Sequence, residues 1–252
     1  MLDSHQIDLN NLFSEKYAYE VIRIIQARPL FLETHLERLQ KSISALGYPL
    51  INRSIVQNEL EQLIQINHLE NINVKIMIHH ENRALFALES HYPSPNQYKN
   101  GVCCNFLFEE RESPEIKVFQ AKLRQKSNEQ IKSEEIHESV LVNQQGLITE
   151  GSRSNLFFIQ DQTLFTAPDH LVLGGITRLN ILKICDILSI KVDFKAVPYQ
   201  ELSKFQAAFI CGTSPGVLPI KSIDKFSFDV QNPLLEQLHH AYHSKYLLNP
   251  QL

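Results

Sequence analysis

The middle of the chain reads Thr149-Glu150-Gly151-Ser152-Arg153-Ser154-Asn155-Leu156-Phe157, a polar stretch set between apolar segments. Short apolar runs bounded by turn residues predict strands on both sides, at residues 147–149 and 155–159. A carboxylate held between buried strands needs a partner, because an unpaired buried charge is strongly unfavourable. We therefore expect Glu150 to be paired, and Arg153 is the partner that the local sequence offers.

Two further loops have the composition of anion sites. The first, Leu173-Gly174-Gly175-Ile176-Thr177-Arg178, leads into a helical pattern that begins at Thr177. Two glycines allow the backbone to approach a ligand, and the free N–H groups of a helix N-terminus attract phosphate. The second, Cys211-Gly212-Thr213-Ser214-Pro215-Gly216, offers hydroxyls between two predicted strands. An ordinary connection is the alternative for each, with Thr177 then serving only as a helix N-cap.

The rest of the chain alternates between strand and helix patterns. Thr34 with Glu37 predicts a capping box, and Gly47 predicts the end of that helix. Ser54 with Gln57 predicts a second helix start. The other predicted elements are strands at 17–25, 74–88, 101–108, 140–142, 163–166, 191–196, 207–210 and 217–223, and helices at 119–132 and 233–247, with linkers at 91–96 and 109–115.

Composition narrows the class of protein. The chain has 252 residues, 43% of them hydrophobic, which is enough for a sizeable core. The net charge of −4 has no long run of either sign, so neither nucleic acid nor a membrane is an expected partner. The polar start, Met1 to Asn11, and the lack of a long apolar run predict a soluble, cytoplasmic protein. Four cysteines without C-x-x-C spacing predict buried free thiols and no metal site.

Five segments, in order from about residue 17 to 223, resemble the class IV pyridoxal-phosphate enzymes. This group includes branched-chain aminotransferases, D-amino acid aminotransferases and 4-amino-4-deoxychorismate lyases. The matching segments are Tyr19-Glu20-Val21-Ile22-Arg23, Phe31 to Leu39 with its His35-x-x-Arg38-Leu39, Glu150 to Phe157, Leu173 to Arg178, and Gly212-Thr213-Ser214 with Val217-Leu218-Pro219-Ile220.

The resemblance implies a fold and a cofactor. We expect the two-domain α/β (α+β) fold of the D-amino acid aminotransferases, with a small N-terminal α/β domain at 1–110 and a larger β-rich pyridoxal 5'-phosphate domain at 111–252. Lys117, 33 residues before Glu150, would hold the cofactor as a Schiff base, and Lys122, 28 residues before it, is the alternative. Glu150 would face the pyridine nitrogen and Arg38 would bind the phosphate. The remaining expected cofactor contacts are Ser154, Asn155, Gly175, Ile176, Thr177, Thr213 and Ser214.

Two departures from the family pattern bear on the substrate. Many amino-acid-using relatives carry an arginine in a T-R-G turn, where this chain has Ile78-His79-His80-Glu81-Asn82. The histidines could bind substrate, although neighbours on a strand face opposite ways and surface positions are the alternative. Lys122 also replaces the tyrosine that often follows the Schiff-base lysine by five residues.

These departures favour a 4-amino-4-deoxychorismate lyase, which releases pyruvate and 4-aminobenzoate. The alternative is an aminotransferase of a branched-chain or D-amino acid with a 2-oxo acid acceptor. A non-catalytic pyridoxal-phosphate protein is the remote third possibility. In each case the resemblance implies a homodimer and a small-molecule substrate carrying an amino group.

Overall fold

The computed structural model describes residues 16–248, so the segment Met1 to Asn11 lies outside the described residues. Two sheets form the frame of the molecule. The smaller has four strands in the order β2-β1-β3-β4, all antiparallel. Its elements are β1 (Ala18–Ile25), β2 (Arg28–Pro29), α1 (Leu32–Ala45), α2 (Arg53–Ile66), β3 (Asn71–His79) and β4 (Asn82–Leu88).

The two faces of the small sheet have different roles. One face packs Ile22 and Ile76 against Leu36, Leu39 and Leu60 of the two helices to form a closed core. The ladder pairs Tyr19 with Met77, Val21 with Lys75, and Arg23 with Asn73, so these six side chains share the opposite face. We call them the inner face, because Arg23 and Asn73 contact the loop that contains Ser214.

The first helix begins earlier than its capping signal predicts. Phe31, with a φ of 56°, is the residue before the helix, and Thr34 lies inside the first turn. The Phe31 ring packs on Tyr246 at 5.0 Å between centroids, a long-range contact that the local sequence does not encode. Gly47, with a φ of 71°, follows the helix end as predicted. Helix α2 begins at Arg53, next to the start predicted near Ser54, but its cap is Asn52, whose side chain accepts from two backbone N–H groups.

The larger sheet has ten strands. Nine follow the order β10-β9-β8-β12-β13-β5-β6-β7-β11, and β14 pairs with β13. Its strands are β5 (Val102–Leu107), β6 (Glu138–Val142), β7 (Leu147–Gly151), β8 (Asn155–Gln160), β9 (Thr163–Thr166), β10 (Lys191–Phe194), β11 (Val197–Pro198), β12 (Ala207–Gly212), β13 (Gly216–Ile223) and β14 (Phe226–Ser227). Its helices are α3 (Pro95–Asn100), α4 (Ala121–Ser133), α5 (Ile176–Ile187) and α6 (Pro233–Tyr242).

The chain changes sheets before residue 110. Strand β5 already lies in the large sheet, parallel to both β13 and β6. The passage falls at 89–101, where Ser94 caps the short helix α3 with a complete capping box. The domain boundary at residue 110 stays a prediction, but the change of sheet coincides with the earlier of the two predicted linkers.

Two further expectations have definite outcomes. Cys104, Cys185 and Cys211 are buried free thiols, whereas Cys103 is exposed, contrary to the prediction for that residue. The final helix predicted at 233–247 is α-helical only to Tyr242 and continues as π-helix from His243 to Leu248. Within residues 16–248 no helix is both long and apolar enough to cross a bilayer.

Candidate active site

Arg38 is fixed by a carboxylate on the core face of the small sheet. Its Nε and Nη2 atoms donate to the two oxygens of Glu20, each at 2.7 Å, and Nδ1 of His35 lies 2.7 Å from Glu20 Oε2. Burial raises the pKa of Glu20, but the charges of Arg38 and His35 outweigh it and lower the pKa to about 2. Arg38 Nη1 donates to the carbonyl of Gly174 at 3.0 Å, so the guanidinium lies against the first glycine loop.

The N-terminus of α5 is open to an anion. Gly175 is the N-cap and provides no side-chain acceptor, so Thr177 is not the cap but lies within the first turn. A Cβ atom at Gly175 would overlap Oδ1 of Asn155, which explains why glycine is required there. Asn155 donates to the carbonyl of Leu173 at 2.8 Å and so holds this loop to β8.

The second hydroxyl loop packs on the inner face. Ser214 Oγ accepts from Asn73 at 2.8 Å, its carbonyl accepts from Arg23 at 3.1 Å, and Thr213 donates to the carbonyl of Val21 at 3.4 Å. Cys211, two residues before Thr213, is the ladder partner of Asn155. Asn155 therefore connects the two loops.

Lys117 lies beside the inner face. Its carbonyl accepts from Tyr19 N at 3.1 Å and its backbone N–H donates to Ser42 Oγ at 2.9 Å, which fixes its backbone. The Lys117 amine is 4.7 Å from the centre of the Tyr19 ring. Burial lowers the pKa of Lys117, and nearby Arg38 and Arg111 lower it further, against the opposing charges of Tyr19 and Glu20. Lys122, by contrast, has an exposed side chain on α4.

Tyr19 completes the surroundings of the Lys117 amine. Burial raises the pKa of Tyr19, but four nearby cations outweigh it and lower the pKa to about 7. The cations are Lys117, Arg124, Arg111 and Lys75. A phenol with such a pKa can donate or accept a proton at neutral pH.

Glu150 is paired, but not with Arg153. Arg111 Nε donates to Glu150 Oε1 at 2.6 Å, and the N–H of Leu173 donates to Oε2 at 3.1 Å. Arg153 lies in the turn after β7 and contacts Asn128 of α4 instead, because the turn directs it away from the sheet. Ser154 was expected to contact the cofactor. In the structure its hydroxyl donates to Glu138 at 2.8 Å, a contact between the turn before β8 and the strand β6.

The donor set suits a phosphate with an aromatic ring attached. The uncapped start of α5, the Arg38 guanidinium and the Ser214 hydroxyl supply anion donors. The carboxylate of Glu150 and the amine of Lys117 suit a ring nitrogen and an aldehyde. These residues fit pyridoxal 5'-phosphate.

The sequence matches the family to which these features point. The family model described as amino-transferase class IV matches residues 17–223. The chain belongs to the class IV aminotransferase family. Members of this family are pyridoxal-phosphate enzymes that act on small molecules with an amino group, and one solved neighbour contains pyridoxamine 5'-phosphate.

Individual relatives of this family member carry different activities. D-alanine aminotransferase from Bacillus licheniformis is 28% identical over 227 residues, covering 82% of this chain and 78% of the relative. A protein assigned as 4-amino-4-deoxychorismate lyase from Legionella pneumophila superposes with a TM-score of 0.80 at 21% identity, covering 93% and 90% of the two chains. The Escherichia coli branched-chain aminotransferase superposes with a TM-score of 0.80 at 21% identity, covering 91% of this chain and 85% of the aminotransferase chain. The predicted α/β fold is thus confirmed.

Three residues of this class IV enzyme's site were given no role by the sequence. Arg111 stands in a predicted linker, Tyr19 had a place only in the strand motif, and Lys75 is one lysine in an alternating strand. The pattern of alternation could have placed Lys75 on the face of Tyr19. It could not show which part of the chain covers that face.

Proposed function

We propose that the enzyme is a lyase of the 4-amino-4-deoxychorismate type, releasing pyruvate as its ring product becomes aromatic. The observation that supports the proposal is the β3–β4 turn. His80 stacks on Tyr48 at 4.2 Å between centroids, and His79 packs against both rings. These side chains pack beyond the end of α1, at the turn where amino-acid-using relatives carry an arginine. A lyase needs no second amino-acid substrate, so loss of that arginine is tolerated.

Each residue of the site has a proposed role that follows from its chemistry. Bound at this site, pyridoxal phosphate supplies an aldehyde for the substrate amine and a ring that takes up electrons. Arg38 and the first N–H groups of α5 would bind the phosphate, and Glu150, oriented by Arg111, would face the ring nitrogen. The Lys117 amine, whose pKa is lowered by burial, would remove the proton from the ring carbon that carries the substrate amine. The bond between the ring and the enolpyruvyl oxygen breaks as the ring becomes aromatic, and Lys117 would return the proton to the methylene carbon of the departing enol, which gives pyruvate. The Tyr19 ring lies next to the Lys117 amine, so its hydroxyl could donate a hydrogen bond to an oxygen of the cofactor or substrate there.

An aminotransferase is the second candidate, since 28% identity to a D-alanine aminotransferase extends over most of the chain. Its substrate would be a D-amino acid or a branched-chain amino acid, with a 2-oxo acid as acceptor. The same Lys117 would then return the proton to a different carbon. Family and fold do not distinguish these reactions.

A paired assay tests the proposal. The cofactor-loaded enzyme is given enzymatically generated 4-amino-4-deoxychorismate, with 4-aminobenzoate followed by fluorescence and pyruvate by a coupled dehydrogenase. A second arm contains amino acids of both configurations with 2-oxoglutarate or pyruvate. We expect equal amounts of 4-aminobenzoate and pyruvate, abolished in Lys117→Ala and retained in Lys122→Ala. Transamination without 4-aminobenzoate would establish the second candidate instead.

We also propose a homodimer, on the family resemblance alone. Light scattering coupled to size-exclusion chromatography should give twice the chain mass of 29.1 kDa. A monomeric mass with full activity would contradict this proposal.

A further inference from the structure

The inner face contains a buried lysine that the proposed chemistry does not use. Lys75 is 6% exposed and lies on β3 opposite Val21. Its amine is 5.3 Å from the centres of both the Tyr17 and Tyr19 rings and 5.5 Å from that of Phe119. Tyr17 and Phe119 stack in parallel, 5.0 Å apart. We call these three rings and Lys75 the aromatic cage.

In the described part of the chain, the Lys75 amine in the cage has no carboxylate as counter-ion. The amine donates to the hydroxyl of Tyr17 at 3.3 Å. Burial lowers the pKa of Lys75, and the neighbouring Arg124 and Lys117 lower it further against the opposing Tyr19. A buried cation among other cations is unfavourable unless an anion joins it. This arrangement is therefore suited to receive one.

The cage adjoins the reactive amine. The Tyr19 ring lies 4.7 Å from the Lys117 amine on one side and 5.3 Å from the Lys75 amine on the other. The other inner-face cation, Arg23, is already engaged, because it stacks 4.2 Å over Tyr92 and donates to Ser214. Lys75 is thus the inner-face cation that lies against the Tyr19 ring, next to the Lys117 amine.

We propose that Lys75 binds the carboxylate of the substrate, with the cage rings packing against the substrate's own ring. The chain thereby replaces the arginine missing from the β3–β4 turn with a lysine on the preceding strand. The expected substrate class is a ring compound that carries an amine and a carboxylate. This inference rests on the proposed function only in assigning the substrate amine to the neighbourhood of Lys117.

Binding of simple ring compounds tests Lys75 without catalysis. Benzoate and benzamide have the same shape and differ in charge, and acetate has the charge without the ring. Titration calorimetry on the cofactor-loaded enzyme should give a benzoate affinity roughly 10- to 100-fold above that of benzamide, as expected for hydrogen bonds to a charged group. Acetate should bind more weakly than benzoate.

Variants locate the effect. Lys75→Met and Lys75→Gln should each bind benzoate and benzamide equally, Lys75→Arg should retain a preference for benzoate, and Lys41→Met, an exposed lysine on α1, should behave as wild type. Lys75→Met should also melt no lower than wild type, because an apolar side chain replaces a buried cation. Equal binding by wild type, or an undiminished preference in Lys75→Met and Lys75→Gln, would overturn the proposal. If the Lys75 variants lose the preference for benzoate but the wild-type enzyme forms no 4-aminobenzoate, Lys75 keeps its role in carboxylate binding and the lyase proposal is rejected.

Discussion

Replacing Glu20 with glutamine tests the network that orients Arg38. Glu20 is fully buried and receives two hydrogen bonds from Arg38 and one from His35. Its pKa falls from an ordinary 4.5 to about 2. At about 1.4 kcal/mol for each tenfold change in acidity, the ionised carboxylate contributes about 3 kcal/mol to the free energy of unfolding. This agrees with the roughly 3 to 5 kcal/mol lost when one partner of a buried ion pair is removed.

The pH dependence has a definite sign. The folded pKa of Glu20 is lower than the unfolded pKa, so its contribution is complete above about pH 4.5 and is lost as pH falls towards about 2. Glu20→Gln should therefore lower the free energy of unfolding by about 3 kcal/mol at pH 7. The difference between variant and wild type should shrink between pH 4.5 and 2.

Denaturant unfolding followed by circular dichroism measures both quantities. Glu37→Gln is the matched control, because Glu37 lies on the exposed side of α1 and should change stability by no more than about 0.5 kcal/mol. Cofactor affinity should fall in Glu20→Gln as well, since Arg38 loses the carboxylate that fixes it. A Glu20→Gln protein as stable as the Glu37→Gln protein at pH 7 would show that the ion pair of Glu20 with Arg38 does not stabilise the fold.

Three further predictions concern the neighbouring groups. Gly175→Ala should weaken pyridoxal-phosphate binding by about tenfold or more in equilibrium dialysis, because the added Cβ overlaps Asn155 Oδ1, and unchanged affinity would contradict the proposed anion site. Arg111→Leu should destabilise the protein by about 3 to 5 kcal/mol in chemical unfolding, since it leaves the Glu150 carboxylate buried without its cation; a loss below about 1 kcal/mol would argue against that pairing. In the cofactor-free enzyme Tyr19 should ionise near pH 7 in ultraviolet difference spectra, and Lys117→Met should move that titration to higher pH by removing a cation, so a transition that stays in place would exclude the coupling.

Local signals predicted those parts of the fold that depend on nearby residues. Gly47 ended α1 as expected, because glycine adopts the left-handed conformation after a helix at little steric cost. The glycine loop precedes the helix α5 and the hydroxyl loop lies between the strands β12 and β13, as the local patterns predicted. Phe31 escaped prediction, since its conformation accompanies a contact with Tyr246, more than two hundred residues away.

The candidate site was predictable where a motif carried it and not elsewhere. Glu150 was expected to have a cationic partner, and it has one, but Arg111 rather than the adjacent Arg153 supplies it. Such a pairing depends on which way a turn directs its side chains, and sequence spacing does not encode that. Lys75 was missed for a related reason. Its amine lies against the rings of Tyr17, Tyr19 and Phe119, which only the folded chain brings together around it.

The role of Lys117 as the lysine that holds pyridoxal phosphate is tested most directly by locating the cofactor on the chain. The pyridoxal-phosphate-loaded enzyme is reduced with borohydride, digested, and the labelled peptide is identified by mass spectrometry. We expect a single phosphopyridoxyl group on Lys117, with Lys122 unmodified and with no label retained in Lys117→Ala. A label on Lys122, or full labelling of Lys117→Ala, would contradict that role.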